Sequence, residues 1–184
     1  MSLTITLETQ IDKFEQVERA LAEQALRAGL SAAGNLTEGY IKLNIREQEL
    51  IDTGNLINSV QTGEPKISGL SGEITVGTNA EYARIHEFGG TIVPRTAKAL
   101  AIPLTKAARG VAPREFAGKL HIQWRTGAES GALVDESGTA QYALVRQATI
   151  PARPYMRPAV DEHKREIGDV FGANVRRVIE GAAR

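Results

Sequence analysis

Asp52-Thr53-Gly54 has the residue types of a carboxylate-based hydrolytic site. Two such aspartates, one from each chain of a dimer, can share a proton and activate a water molecule. The same triplet is also common turn chemistry, because Asp and Thr side chains bond to the backbone of a turn and Gly supplies a positive φ. A tripeptide alone does not identify an active site. We therefore expect Asp52, Thr53 and Gly54 to form a structural turn where the chain passes from a helix to a sheet.

Other residues that could do chemistry are too scattered to form a recognisable site. His86, His121 and His163 have no metal-ligand spacing such as HExxH, and the chain has no cysteine. The sequence contains no Gly-x-Ser-x-Gly turn and neither of the glycine-rich phosphate motifs GxxxxGK[ST] and GxGxxG. The sequence predicts a protein that is not an enzyme, with no catalytic residue, no metal and no cofactor.

The composition fits one compact domain, or one domain with an appendage, because 184 residues can bury a single sizeable core. The 22 basic and 22 acidic residues balance, which argues against a tight nucleic-acid binder. Residues 1–54 carry five Lys/Arg against nine Asp/Glu, and residues 146–184 carry eight against five. Oppositely charged ends can meet neighbours on two faces, or can simply be solvated helix surfaces. No apolar run approaches the roughly 20 residues of a spanning helix, so we expect no membrane association.

Hydrophobic periodicity predicts an α+β subunit, in which an N-terminal and a C-terminal helix cover a mostly antiparallel sheet. The first helix has an apolar stripe that begins at Ile11 and Phe14, and we expect it to break at Gly29 or Gly34 before a second helical half. Alternating side chains predict a β-hairpin from residues 56–61 and 73–76.

The second half of the chain is predicted to return to the sheet and end in a helix. Residues 80–88 form a short helix capped by Asn79, and residues 98–102 and 143–149 form strands. The last helix begins near Pro158, and its apolar stripe from Val160 to Ile179 is expected to pack on the sheet.

Residues 105–141 differ from the rest in being rich in glycine. Two alternating runs, 119–125 and 132–135, predict an inserted β-ribbon arm that carries Trp124, the only tryptophan. We therefore expect residues 1–184 to form a single domain with this arm within it. The arm either clasps a neighbouring subunit or is a mobile surface loop.

Two further segments combine aromatic, charged and proline residues in the manner of a positioning surface. In the predicted helix 80–88, the side chains Tyr82, Ile85 and Phe88 share one face that can dock on the sheet, which leaves Arg84 and Glu87 outward. The prolines of 150–159 restrict an extended connector. Tyr and Arg are common interface anchors, so the candidate interface residues are Arg84, Glu87, Trp124, Arg153, Tyr155 and Arg157. The alternative is a rigid loop that only delivers the last helix to the core.

Three ordered motifs, DTGxLxxS at 52–59, YAxxxEFG at 82–89 and PARPYxRPA at 151–159, carry a resemblance to a known family. The chain resembles the tail-completion proteins of long-tailed double-stranded DNA bacteriophages, also called neck, head-to-tail joining, minor tail or virion morphogenesis proteins. Shorter members pass almost directly from the strand at 100–102 to the strand at 143–145, so the arm is a departure from the family pattern.

The resemblance implies a structural protein of the virion, made in the host bacterial cytoplasm. Its copies would form a ring, a hexamer, at the junction of head and tail. The ring would cap the tail-tube protein, bind a head-closure or connector protein, and let DNA pass through its lumen without specific recognition. One alternative is a minor tail or tail-assembly protein elsewhere in the virion. The other is a retrovirus-like dimeric aspartic protease using Asp52. Two features argue against it: Asn55 stands where such proteases usually have Ala or Ser, and the sequence has no convincing later apolar-apolar-Gly segment.

Overall fold

A computed structural model describes residues 1–8, 16–124 and 130–183 of the chain. The chain divides into two compact units, Met1–Phe88 with Ala152–Arg184, and Gly89–Pro151. Helices near both ends of the chain accompany antiparallel sheets, which confirms the predicted α+β class. The predicted arm, 105–141, lies wholly within the second unit. A single domain with an arm stays a prediction.

The first unit combines helices with a small antiparallel sheet. Its described helices are α1 (Gln16–Glu47), α2 (Asn55–Ser59), α3 (Ala83–Phe88), α4 (Met156–Asp161) and α5 (Lys164–Ala182). Its described strands are β1 (Ser2–Glu8), β2 (Val60–Thr62), β3 (Lys66–Ser68) and β4 (Ser71–Thr78). Strand β4 is central and pairs antiparallel with β1 on one side and with β2 and β3 on the other. Alternate β4 residues are buried, as expected for a strand with one face against a helix.

Helix α1 runs without interruption through both glycines that were predicted to break it. A Cβ atom at Gly29 would lie 2.7 Å from the Phe171 ring, and one at Gly34 would lie 2.6 Å from the Thr62 side chain. The glycines therefore let α5 and the sheet approach α1 closely, and the predicted break is wrong. The start of the predicted stripe, Ile11 and Phe14, lies outside the described residues.

The predicted hairpin is only partly correct. Residues 56–59 belong to helix α2, with Leu56 and Ile57 buried, and only the following β2 segment pairs antiparallel with β4. Strand β1 was not predicted at all. It pairs with β4 from Ser2↔Gly77 to Glu8↔Ser71, a partnership between residues far apart in sequence.

The C-terminal segment forms two helices where one was predicted, because α4 ends at Asp161 and α5 begins at Lys164. Helix α5 packs on α1, so the prediction that its stripe lies on the sheet is wrong. The Tyr40 and His163 rings stack with centroids 3.5 Å apart, and the Tyr40 hydroxyl donates to Glu166 over 2.6 Å. The two longest described helices thus brace each other through both apolar and polar contacts.

The second unit is built from a β-ribbon and a four-stranded antiparallel sheet. The ribbon pairs β5 (Gly90–Ile92) with β10 (Ala148–Ile150). The sheet has the order β6 (Leu100–Pro103), β9 (Ala140–Val145), β8 (Ser130–Val134) and β7 (His121–Trp124). The predicted arm strands are therefore present, although Arg125, at the end of the first run, lies outside the described residues.

The segment between β6 and β7 covers one face of this sheet. The Tyr142 hydroxyl donates to the Val111 carbonyl over 2.9 Å, and the Phe116 ring meets the Tyr142 ring edge to face at 5.9 Å. Ala108 and Tyr142 are buried. The second unit therefore has a small apolar core of its own.

Candidate functional site

The second and third motifs come together in the first unit around the carboxylate of Glu87. This side chain projects from α3 and is 3% exposed. Its Oε2 accepts hydrogen bonds from the backbone amides of Tyr155 (2.7 Å) and Met156 (2.9 Å), and its Oε1 accepts from Arg157 (3.0 Å). The carboxylate thus binds successive amides at the start of α4, where unpaired N–H groups and the helix dipole both favour a negative charge.

Tyr155 completes this link from the other side. It is fully buried, and its hydroxyl donates to the Ala83 carbonyl in α3 over 3.3 Å. Burial and then the nearby Glu87 charge raise the pKa of Tyr155 to about 12, so the phenol stays protonated and can keep donating. Glu87 and Tyr155 therefore form a reciprocal connection between the second and third motifs.

The proline-rich connector before α4 is held at its last three residues, 153–155. The Arg153 amide donates to the His86 carbonyl over 2.7 Å. The Asn44 side chain in α1 donates to the Tyr155 carbonyl over 3.0 Å, and the Gln48 side chain, just after α1, donates to the Pro154 carbonyl over 2.5 Å. These bonds fix the backbone from which Arg153 and Arg157 project into solvent.

The first motif forms a turn and the short helix α2. Gly54 has φ 81°, the left-handed conformation for which the turn needs glycine, and its carbonyl accepts from the Asn58 amide over 3.0 Å. The Asn55 amide donates to the Thr53 hydroxyl over 3.4 Å. Downstream, Leu56 enters the same buried cluster as Tyr155. The Asp52 side chain is exposed on this turn.

A cleft of about 480 Å³ lies where the three motifs meet. Its lining combines carboxylates, apolar side chains, an aromatic ring and a guanidinium, from Glu49, Leu50, Ile51, Asp52, Thr53, Gly54, Asn55, Leu56, Tyr82, His86 and Arg153. The Tyr82 and His86 rings meet edge to face at 5.9 Å. Burial and then the positive charge of Arg153 lower the pKa of His86 below its usual 6.5, so this imidazole is neutral at pH 7.

The wall of the cleft formed by the end of α1 contains a strained residue. Glu49 has φ 54°, a left-handed conformation that costs an L-residue about 1 kcal/mol or more. The Glu49 amide donates to Arg46 and the Leu50 amide donates to Ile45, both over 3.0 Å, which is the Schellman arrangement in which glycine normally occupies this position. A glutamate here places a carboxylate on the rim of the cleft.

The structure corrects two of the candidate interface residues. Glu87 and Tyr155 were expected at a contact surface, but both are buried and bind groups of their own chain. The predicted docking face of α3 is also wrong, since Tyr82 is 43% exposed and Phe88 is 60% exposed. The inward face consists of Ala83 and Glu87, which are four residues apart and therefore on one side of the helix.

The other candidate interface residues are all exposed. Arg84 lies on α3, Arg153 lines the cleft, and Arg157 is paired only loosely, with its Nε 3.8 Å from Asp161. Trp124 belongs to the second unit and is 47% exposed. Their role in an interface stays a prediction.

The role of Glu87 was missed because sequence reasoning treated it as a surface charge. One signal was available: Glu87 follows Ala83 at helical spacing, and the third motif supplies a helix start after a proline-rich connector. A helix start needs an acceptor for its free amides. Nothing in the sequence says that this acceptor comes from a residue almost seventy positions earlier.

The structure shows where the candidate catalytic and metal-binding side chains lie. Asp52 sits on an exposed turn that continues directly into α2. Within residues 1–8, 16–124 and 130–183, no group of three or more His, Asp or Glu side chains is placed to hold a metal ion. Among the helices described, none is long and apolar enough to cross a membrane.

Comparison with known proteins gives one match. Residues 7–89 match the family model HK97-gp10_like, described as "Bacteriophage HK97-gp10, putative tail-component". No curated protein and no solved structure gives a significant match. The matched range includes the first two motifs, and the third is bound to the second through Glu87 and Tyr155. The resemblance to a phage tail and head-to-tail joining family is thereby confirmed over residues 7–89, which are similar to the HK97-gp10-like family of phage tail components.

Proposed function

We propose that this protein is a tail-completion protein that assembles as a ring of six at the phage head-to-tail junction. The ring caps the growing end of the tail tube and so stops its polymerisation. Its opposite face is then recognised by a head-closure or connector protein of the filled head. DNA passes through the lumen without sequence-specific contacts, in keeping with the balanced charge of the chain.

The observation that carries this proposal is the tail-component match over residues 7–89, together with the direct bonding of that region to the third motif. A phage tail structural role follows from the family. The place at the head-to-tail junction comes from the ordered motifs, which resemble those of tail-completion proteins. The motif residues bond distant parts of the chain to one another, which suits a protein that acts by geometry.

The first experiment is electron microscopy of particles produced by a phage or prophage from which this gene has been deleted. We expect DNA-filled heads beside unattached tails of irregular or excessive length, because the tube end is no longer capped. Complementation with the wild-type gene should restore joined virions. Normal joined virions in the deletion would refute the proposal. Intact joined particles with a defect at another part of the tail would indicate a minor tail protein instead.

The same complementation separates the structural role from the protease alternative. Asp52→Asn removes the ionisable carboxylate with almost no change in size, so a protease would lose all activity. We expect this variant still to restore joined virions, because a ring that acts by geometry does not require an ionised group at Asp52. Failure of a folded Asp52→Asn protein, with unmatured capsids in the lysate, would favour the protease.

Arg153→Glu tests whether the exposed face of the connector takes part in assembly. Arg153 holds the connector to His86 through its backbone amide, so the substitution leaves that bond in place. Arg165→Glu, at an exposed position of α5, makes the same charge change elsewhere. We expect fewer joined virions with Arg153→Glu than with Arg165→Glu. Equal numbers would remove Arg153 from the interface.

A further inference from the structure

Strand β7 presents a prepositioned aromatic side chain at the edge of the second sheet. Trp124 pairs with Gly131 across the strands, and a Cβ atom on Gly131 would lie 2.9 Å from the indole ring. Glycine therefore lets the indole lie against the neighbouring strand, while the side chain remains 47% exposed. A tryptophan already held in place loses little side-chain entropy on binding, which is typical of an interface anchor.

Ile122 extends the same apolar surface. It pairs with Leu133, is 62% exposed, and lies two residues from Trp124, so both side chains are on one face of β7. That face continues inward to Tyr142 and Leu144, which are buried. Because β7 is the last strand in the sheet order, the Ile122 and Trp124 end of this face and one strand edge are open to a partner, whereas Tyr142 is covered by the segment between β6 and β7.

The net charges of the two units indicate which partner can bind this apolar surface. The second unit, Gly89–Pro151, has eight Lys/Arg against four Asp/Glu, a balance of +4, and the first unit has fourteen against eighteen, a balance of −4. The basic unit of one copy is therefore attracted to the acidic unit of another. Lys119 and Arg125 flank the Ile122 and Trp124 pair in the sequence.

The cleft in the first unit has the complementary character. Its carboxylates Glu49 and Asp52 are exposed, and beside them lie Ile51 (47% exposed) and Tyr82. A volume of about 480 Å³ suits a large aromatic side chain with its neighbours. An apolar pair that follows Lys119 in the sequence thus matches a cleft in which Leu50 and Ile51 lie beside two carboxylates, with Arg153 as the one cation among its lining residues.

We propose that the β7 edge of one copy, through Trp124 and Ile122, docks in the cleft beside Asp52 on a second copy of this chain. The contact joins two different surfaces, so each copy offers both halves and successive copies continue in one direction. Such head-to-tail contacts close into rings when the rotation between copies permits. The inference rests on the proposed ring for its closure, but the pairwise contact is testable without it.

The absence of cysteine from the chain permits a direct test. Two single-cysteine proteins are made, Gln123→Cys on β7 and Asn55→Cys at the cleft, both at exposed positions. They are mixed and treated with a short bismaleimide. We expect a cross-linked heterodimer that the control mixture of Gln123→Cys with Asp169→Cys, an exposed site on α5, does not give.

Two anchor variants then test the contact itself. We expect Trp124→Ala to weaken self-association roughly 30-fold, as truncation of a central aromatic anchor does. Since Trp124 also rests on Gly131, the independent variant Ile51→Ala on the cleft side is needed. Its control is Ile179→Ala, a side chain of similar exposure on α5. Ile51→Ala should reduce heterodimer yield, whereas Ile179→Ala should leave it unchanged.

The mixture is also examined in particles, by supplying both cysteine proteins to the gene-deleted phage. No heterodimer above control, either in solution or in particles, would overturn the proposed contact. Cross-linking of Gln123→Cys to a different virion protein would overturn it as well. Heterodimers together with normal virions from the deletion would refute the proposed function and leave the contact standing. Unjoined particles without heterodimers would support the proposed function and overturn the contact.

Discussion

Removal of the Glu87 carboxylate should have a large effect on the stability of the first unit. Glu87→Ala leaves the amides of Tyr155 and Met156 buried without an acceptor, and also removes the acceptor of the partly buried Arg157 amide. Each buried, unsatisfied donor costs about 1–3 kcal/mol. The free energy of unfolding should therefore fall by about 3–6 kcal/mol, which is a large part of the about 5–15 kcal/mol of an ordinary domain.

The isosteric variant Glu87→Gln provides a graded comparison. Its amide oxygen can still accept from Tyr155 and Met156, but its NH₂ group then faces the Arg157 amide, so a loss of about 1–3 kcal/mol is expected. Glu81→Gln is the control, because Glu81 is exposed two residues before α3 and should change stability by less than about 0.5 kcal/mol.

Urea unfolding followed by far-UV circular dichroism measures these effects, because the described helices all belong to the first unit. We expect the midpoints to fall in the order wild type, Glu87→Gln, Glu87→Ala, with Glu81→Gln close to wild type. If Glu87→Ala cost less than about 1 kcal/mol, or no more than Glu87→Gln, the carboxylate would not be the acceptor that holds α4 in place, and the reasoning would be wrong.

Three further substitutions test the packing, the backbone and the titration of the first unit, each by the midpoint of urea unfolding. Gly29→Ala should destabilise by about 1–3 kcal/mol because its Cβ would lie 2.7 Å from Phe171, whereas Gly39→Ala in the same helix, with nothing within 4 Å, should stabilise by about 0.5–1 kcal/mol. Glu49→Gly should stabilise by about 0.5–1 kcal/mol because it relieves φ 54°, and an unchanged or lower midpoint would contradict the strain argument. The pKa of His86 is lower in the folded chain than its usual 6.5, so the unfolded chain binds the proton first, and stability is lost as pH falls from 6.5 through the folded pKa. His86→Gln should therefore lose less stability than the wild type between about pH 7.5 and about pH 5.5. An equal loss would show that His86 does not contribute.

The fold class was predictable from the sequence because it depends on local patterns. Alternating residues found β7 and β8 of the second unit, and helical spacing found the last helix, but β5 was not predicted and β9 and β10 were predicted as one strand. The same local reasoning wrongly predicted that α1 breaks at Gly29 or Gly34. A glycine that ends a helix and one that admits a neighbouring helix look alike locally, and only the position of Phe171, far along the chain, distinguishes them.

The site was less predictable because its main contacts join distant parts of the chain. The motifs identified which segments matter, and the conformation of Gly54 matched its expected turn role. The direction of each side chain was harder, since Glu87 and Tyr155 have the residue types of interface anchors and yet bind inside their own chain. Burial of a carboxylate is stable only when donors surround it, and those donors come from another motif.

This division of the motif residues determines how mutations in them must be interpreted. A Glu87 or Tyr155 variant that fails to join heads to tails has lost contacts that hold α3 to α4, so the failure reports folding first. Arg153 and Arg157 project from the backbone that these contacts fix. Their side chains can be substituted without loss of the contacts between α3 and α4. Only a folded variant at such an exposed position can therefore identify a partner surface. The rigid connection and the exposed arginines are successive requirements of one mechanism, because an interface residue can recognise a partner only from a fixed position.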